Sequence, residues 1–190
     1  MPSKRHALSS CFAVARFALL VLASVLSVVA AAGAAELGDA APGCTLTPMS
    51  KGAPTELSAA AGEVLLVDFW ASWCPVCPHA FLFLNELERD FGGRGLRIVG
   101  VSVDEDLDAV REFLGAHPAA FDVVVDPTGS CPAAFGVEGM PASYLIDATG
   151  RIRLMTEGFK EEEAHALRRE VESWLVDDAP VHAQHGSNSP

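Results

Sequence analysis

Two cysteines with two residues between them, Cys74 and Cys77, are the side chains of this sequence best suited to chemistry. At this spacing the two sulfurs can close a small disulfide ring, and in the reduced form one of them can react as a thiolate. A thiolate carries out thiol-disulfide exchange by attacking a disulfide sulfur. The pair therefore predicts redox chemistry.

The segments on either side of the pair predict how it is held. Residues 64–69 form a β-prone run that is apolar except for Asp68, which is typical of a strand covered on both faces. After Cys77, apolar residues three or four apart predict a helix that ends at Gly92. The cysteines thus lie at a junction of strand and helix, where the positive end of the helix dipole favours a thiolate.

The rest of the chain predicts an α/β fold in which strands and helices alternate. A chain of 190 residues with 50% hydrophobic content supports one domain with a substantial core. In the second predicted helix, residues 107–116, the inward side chains are expected to be Leu107, Val110 and Leu114. The other expected elements are strands at 44–46, 96–103 and 121–125, a short helix at 132–135, a hairpin of 142–146 with 152–155, and a closing helix at 161–176.

The N-terminus predicts export. Lys4, Arg5 and Arg16 precede an apolar segment, residues 17–35, that ends in small residues, as in a secretory signal peptide. An uncleaved membrane anchor is the alternative, because about 19 apolar residues can just span a bilayer. Both place the domain in the periplasm or otherwise outside the cytoplasm, where disulfides form. The predicted organisation is a leader at 1–35, a domain at 36–177 and a disordered tail at 178–190.

Composition excludes several function classes. The chain has 13 basic and 25 acidic residues, a net charge of −12, and no basic stripe follows the leader, so nucleic acid is not an expected partner. No phosphate-binding loop or dinucleotide fingerprint is present, and no cofactor is expected. His182 and His185 lack neighbouring cysteines or carboxylates, so no metal site is predicted.

Four stretches, taken together, resemble one known family. They are APGCTLTPMSKGAPTELS, VLLVDFWASWCPVC, LRIVGVSVDEDLDAVREFL and FGVEGMPASYLIDATGRI, and they cover most of residues 41–159. In this order and spacing they resemble the thioredoxin superfamily and, within it, the extracytoplasmic TlpA/ResA-like thiol-disulfide oxidoreductases. The resemblance implies a thioredoxin-like fold: a mixed central β-sheet flanked by helices, here with an N-terminal β extension.

The resemblance also implies catalytic roles. Cys74 would attack the substrate disulfide, and Cys77 would resolve the mixed disulfide that results. Asp68 stands where thioredoxins carry a buried carboxylate. Desolvation would raise its pKa, so that it could exchange a proton with Cys77. The alternative for Asp68 is an acid that caps the strand end or faces water.

A second set of residues is implied to bind the substrate. Pro141 matches the cis-proline of the family, and a cis X-Pro bond would present the backbone of Met140 to an extended substrate segment. An ordinary turn proline is the alternative. Trp73 and Trp70 are expected to shape the site, although Trp70 could equally be a core residue.

Several residues remain open at this point. Glu105 and Asp106 lie near the place where ResA-like proteins carry an acid beside the cysteines, but a solvated helix start also explains them. His79 is a hydrogen-bond donor at the site or faces solvent. The other two cysteines of the domain, Cys44 and Cys131, are free core residues or form a structural disulfide worth about 3 to 5 kcal/mol in the chain-entropy model.

The direction of the expected reaction follows from the residues between the cysteines. Pro75 and Val76 offer no side-chain donor to stabilise the reduced form, which favours a reductant of protein disulfides. A reductant outside the cytoplasm must be recharged, so a membrane electron-donating thiol-disulfide partner is expected. By resemblance, the substrates belong to cytochrome c biogenesis or copper-centre assembly. However, Ala142 and Ser143 stand where the haem-maturation branch carries a glutamate, which favours a general reductase.

Three alternatives to this function are considered. A disulfide-donating oxidase or isomerase would use the same cysteine pair. A Sco-type copper-binding chaperone would need a third ligand, and no histidine stands where such a chaperone needs one. A peroxidase would need a threonine and arginine setting that is absent around Cys74.

Overall fold

The computed structural model describes residues 34–50, 52–59 and 62–177. Almost all of the predicted leader and the whole predicted tail lie outside these described residues, and both stay predictions. Ala35, the last residue of the predicted leader, is buried in the core of the domain. None of the helices in the described ranges is long and apolar enough to cross a bilayer.

Seven strands form one mixed sheet. They are β1 (Thr45–Pro48), β2 (Thr55–Glu56), β3 (Val64–Trp70), β4 (Leu96–Ser102), β5 (Asp122–Val125), β6 (Ala142–Ile146) and β7 (Ile152–Glu157). Their order in the sheet is β2-β1-β5-β4-β3-β6-β7. The central strands β5, β4 and β3 are parallel, whereas β1 joins β5, and β6 joins β3, in antiparallel fashion. The predicted mixed sheet is confirmed, and β1 with β2 is its N-terminal extension.

Four helices in the described part of the chain accompany the sheet. They are α1 (Cys77–Phe91), α2 (Leu107–Ala116), α3 (Ser130–Phe135) and α4 (Glu161–Asp177), and a 3-10 turn at Gly92–Arg94 follows α1. All four lie where the sequence predicts them, with ends that differ by at most two residues.

The prediction of which side chains of α2 point into the core is wrong in part. Val110 is buried as expected, but Leu107 is exposed and Phe113 is buried instead. The ring of Phe113 packs 4.6 Å from that of Trp70 and 5.1 Å from that of Phe81, between centroids. This aromatic contact turns the helix so that its first residue faces solvent.

Strand β3 is the centre of the core, because every one of its residues is buried. Successive side chains of a strand point to opposite faces of a sheet. Leu65, Val67 and Phe69 therefore pack on the face that α3 covers, while Val64 and Leu66 pack against α1 and α4. Full burial of one such side chain contributes about 1.5 to 3 kcal/mol. Because both faces of the sheet are covered at β3, the residues of this strand around Asp68 are all apolar.

The second cysteine pair is joined in the structure. The sulfurs of Cys44 and Cys131 are 2.12 Å apart, across 87 residues of chain, and both residues are buried. Of the two alternatives that the sequence left open, the structure shows the disulfide. It ties the segment that leads into β1 to the first turn of α3.

Replacing both Cys44 and Cys131 by alanine is expected to lower the free energy of unfolding by about 3 to 5 kcal/mol, because a cross-link over so long a loop restricts the unfolded chain. Urea unfolding of the oxidised protein measures this. The control is the double variant Cys74→Ala with Cys77→Ala, which opens a far shorter loop and should lose less stability. Equal losses in the two variants would contradict the interpretation.

Candidate active site

The cysteine pair lies in the loop that joins β3 to α1. The sulfurs of Cys74 and Cys77 are 2.20 Å apart and their Cα atoms 5.5 Å apart, so the pair is a disulfide in this structure. Helix α1 begins at Cys77, and Pro78 lies in its first turn. Proline is tolerated there because the first N–H groups of a helix have no partner within it. The predicted junction of strand and helix is therefore present.

The two cysteines differ little in exposure. Cys77 is fully buried and Cys74 keeps only 3% of its surface, whereas the neighbouring Trp73 is 68% exposed and Val76 is also exposed. The first turn of α1 contains no acidic residue, so no charge there opposes the positive end of the helix dipole. The helix dipole favours a thiolate when the disulfide is reduced, whereas the apolar cluster around both cysteines acts against it.

An acid that sequence reasoning did not single out holds the loop in place. Asp104, which is buried, accepts hydrogen bonds from Ser72 N at 2.9 Å, from Ser72 Oγ at 2.7 Å and from Ser102 Oγ at 2.8 Å. Hydrogen bonds to a carboxylate are among the stronger ones in proteins. Asp104 therefore fastens the loop before Cys74 to the end of β4. In the sequence it is one of four nearby acids, and only its place directly beyond that strand distinguishes it.

The other polar candidates lie away from the sulfurs or face solvent. Glu105 is exposed, and Asp106 is the N-cap of α2, where its side chain accepts a hydrogen bond from Asp108 N at 2.9 Å. Both thus match the alternative of a solvated helix start. His79 lies on the first turn of α1 and is exposed, and its side chain makes no hydrogen bond to any described residue.

Asp68 is a buried carboxyl group in the middle of the sheet. It is 1% exposed, and its Oδ1 accepts a hydrogen bond from Ser143 Oγ at 2.6 Å. Its Oδ2 has no hydrogen-bond partner among the described residues. Burial raises the pKa of Asp68 to about 7, although the bond from Ser143 acts in the opposite direction. Asp68 therefore neither faces water nor caps the strand, contrary to the alternative interpretation.

Asp68 and Ser143 line a narrow cleft. Ala80 and Phe83 of α1 form one wall, Pro141 and Thr156 belong to the β6 and β7 side, and Lys160 and Glu163 lie at the start of α4. From the sequence, Ser143 was notable only as a departure from the haem-maturation branch. Its pairing with Asp68 across β3 and β6 depends on the sheet order and has no local sequence signal.

The predicted substrate-binding residues lie in different environments. The peptide bond between Met140 and Pro141 is cis, as the resemblance implied. Met140 is half-buried and packs against the cluster that contains both cysteines. Trp70 is fully buried, with its ring 4.8 Å from that of Phe81, so it is a core residue. Trp73, next to Cys74 in the chain, is 68% exposed and is the largely exposed aromatic residue among the described candidates.

The fold and its dithiol loop place this chain in the thioredoxin class of proteins. Comparison with known proteins narrows the class. The model of the Redoxin family matches residues 36–170. The thiol-disulfide oxidoreductase ResA of Bacillus thuringiensis subsp. konkukian is 30% identical over 145 residues, which is 76% of this chain and 80% of that protein.

Two solved structures have the same fold. A protein assigned as a DsbE-type thiol:disulfide interchange protein from Chlorobium tepidum matches with a TM-score of 0.71 and 34% identity, over 75% of this chain and 99% of that chain. A protein assigned as a protein disulfide isomerase from Bacteroides thetaiotaomicron matches with a TM-score of 0.65 and 28% identity, over 75% and 91%.

The chain therefore belongs to the Redoxin family, as a TlpA/ResA-like member of the thioredoxin superfamily. It is a thiol-disulfide oxidoreductase, which confirms the class of enzyme that the sequence predicted. Its substrates are accordingly proteins with disulfides or thiols.

Replacing Asp104 by asparagine is expected to lower the free energy of unfolding by about 1 to 3 kcal/mol, because the neutral amide loses the charge that strengthens the bonds from Ser72 and Ser102 and has one acceptor oxygen where the carboxylate has two. Chemical denaturation of the oxidised protein measures the change. Glu105→Gln is the matched control at the exposed neighbour and should stay within about 0.5 kcal/mol of the wild type. Equal stability of the two variants would show that Asp104 does not hold the loop.

Replacing Asp68 by asparagine is expected to change how stability depends on pH. Asp68 ionises near its ordinary pKa of 3.8 in the unfolded chain and near 7 in the folded protein, so wild-type stability falls as pH rises between these values. The asparagine side chain does not ionise. The free energy of unfolding of the variant should therefore rise relative to that of the wild type across this range, by on the order of 4 kcal/mol at most.

Denaturation of both proteins at several pH values between about 4 and 9 checks this expectation. The difference in free energy of unfolding between the variant and the wild type should grow with rising pH and become constant above about pH 8. A difference that is the same at every pH would contradict the raised pKa.

Proposed function

We propose that this thiol-disulfide oxidoreductase is a reductant of protein disulfides that works outside the cytoplasm. One observation supports reduction of substrate disulfides rather than their formation. The residues between the cysteines are Pro75 and Val76, and neither sulfur accepts a hydrogen bond from a side chain of any described residue. A strong oxidant depends on a stabilised reduced form, and a site without such donors favours the disulfide form.

The proposed reaction consists of two exchanges. The thiolate of Cys74 attacks one sulfur of the substrate disulfide, which forms a mixed disulfide and releases the first substrate thiolate. Cys77 then attacks the sulfur of Cys74, closes the disulfide seen here and releases the second substrate thiolate. The substrate gains two electrons and the cysteine pair loses two. One proton must leave Cys77 before the second exchange.

Asp68 is proposed to take that proton. It lies on the face of the sheet that α1 covers, and it shares a cleft with Ala80, one turn beyond Cys77. A carboxyl group with a pKa of about 7 can both accept and release a proton near neutral pH, which general acid-base catalysis requires.

Trp73, Met140 and Pro141 are proposed to hold the substrate segment beside the sulfurs. An exposed indole ring next to a reactive disulfide offers apolar contact area, and Trp is enriched in protein interfaces. The residues after Pro141 support a general reductase. Ala142 and Ser143 are buried in β6, and Ser143 is committed to Asp68, so no acidic group meets the substrate there.

The proposed location rests on two features. The predicted leader directs export, and the buried disulfide of Cys44 and Cys131 suits an oxidising compartment. A reductant in such a compartment is consumed unless it is recharged. A membrane electron-donating thiol-disulfide protein is therefore the proposed second partner, beside the substrate proteins.

The equilibrium reduction potential of the Cys74 and Cys77 pair tests the proposed direction. It is measured in defined dithiothreitol or glutathione buffers on the domain without the predicted leader, which contains Cys11. The Cys44→Ala and Cys131→Ala double variant of that domain is the control that contains only the reactive pair. We expect a value near or below that of thioredoxin, roughly −270 mV. A value close to the strong oxidants, roughly −120 mV, would overturn the proposal and make the protein a disulfide donor.

A further inference from the structure

The cleft beside Asp68 contains two carboxylate oxygens that lack partners. Asp68 Oδ2 and Glu163 Oε2 are both shielded from solvent, and neither has a hydrogen-bond partner among the described residues. Both residues line this one cleft, although they are far apart in sequence. A buried carboxylate oxygen without a partner is costly, and a bridging water is the usual way in which such an oxygen is satisfied.

Glu163 reaches from the cleft to the surface. Its side chain is 35% exposed, and its Oε1 accepts a hydrogen bond at 2.7 Å from Lys160 Nζ, while the side chain of Lys160 is 68% exposed. One oxygen of Glu163 thus faces an exposed ammonium group, and the other is enclosed. Among the described residues that line the cleft, no other carboxyl group connects it to solvent.

The other surroundings of Asp68 are neutral. Helix α1 contributes only Ala80, Phe83 and Leu84 to the cleft. On the sheet, Gly100 of β4 lies opposite Asp68 on one side and Ser143 of β6 on the other. The remaining polar wall is Thr156 of β7, which pairs with Ser143. Among the described residues, Lys160 and Glu163 are therefore the charged groups that face the cleft.

We propose that this cleft is the proton route of the dithiol site, in which a water links Asp68 to Glu163, and Glu163 passes the proton between Asp68 and solvent. The inference rests on the proposed role of Asp68. When Cys77 is deprotonated, its proton goes to Asp68, next to Glu163 through the water, and then to solvent. In the opposite direction of exchange the same groups return it. Lys160 positions Glu163 by its hydrogen bond to Oε1, which leaves Oε2 for the water in the cleft.

The route predicts a measurable exchange rate. In oxidised protein labelled with carbon-13 at the side-chain carboxyl carbons, the Asp68 resonance, identified by its loss in Asp68→Asn, moves with pH and broadens near its midpoint as the proton exchanges. Glu163→Gln keeps the shape of the side chain but cannot carry a proton. We expect it to slow the exchange about a hundredfold or more, the low end of the usual contribution of a proton-transfer group.

Glu162→Gln is the matched control. Glu162 is exposed in the same first turn of α4 and does not line the cleft, so the same change of charge there should leave the exchange rate unaltered. Lys160→Met is the second variant. It removes the hydrogen bond that holds Glu163 Oε1, so it should also slow the exchange, and it covers the case in which Glu163→Gln fails to fold.

The outcomes are distinct. Equal exchange rates in Glu163→Gln and Glu162→Gln, or a wild-type exchange rate in Lys160→Met, would overturn the route. The measurement uses the oxidised protein without substrate, so it does not depend on the direction of catalysis. A reduction potential typical of an oxidant would therefore remove the proposed reductant function and leave the proton route standing.

Discussion

The free-energy cost of an ionisable carboxyl group inside a sheet that is covered on both faces is the constraint that governs this structure. Asp68 lies in β3, the strand whose residues are all buried, and it has one hydrogen bond where a solvated carboxylate would have several. Removal of water moves its pKa into the neutral range. The same strand leads directly into the cysteine loop, so the reactive pair and its proposed proton acceptor share one rigid element.

In the loop between β3 and α1, the residues that fix the sulfurs differ from the residue that is exposed to a partner protein. Asp104 fastens Ser72 to the end of β4, and the sulfur of Cys77 is enclosed in the core. Trp73, by contrast, projects to the surface. This division suits thiol-disulfide exchange, since the sulfurs must keep their mutual geometry while the partner protein changes. The buried disulfide at Cys44 packs in the cluster on the opposite face of the sheet, which separates the structural bond from the reactive one.

Features that depend on neighbouring residues could be predicted well. The apolar run of β3, the helix that follows Cys77 and the stop near Gly92 are read from patterns of a few residues, and the structure has all three. The inward face of α2 was predicted less well. Leu107 and Phe113 both fit an apolar stripe, and the rings of Trp70 and Phe81, which belong to other elements, decide between them.

The sequence by itself determined the chemistry of this protein: a cysteine pair at a junction of strand and helix, and one acid within an apolar strand. The tertiary structure decided which groups lie beside that chemistry. Ser143 reaches Asp68 because β6 pairs with β3, and Glu163 shares the same cleft because α4 packs on that face of the sheet. Such contacts join residues that are distant in the chain. They follow from the order of the strands, which local patterns of polarity do not encode.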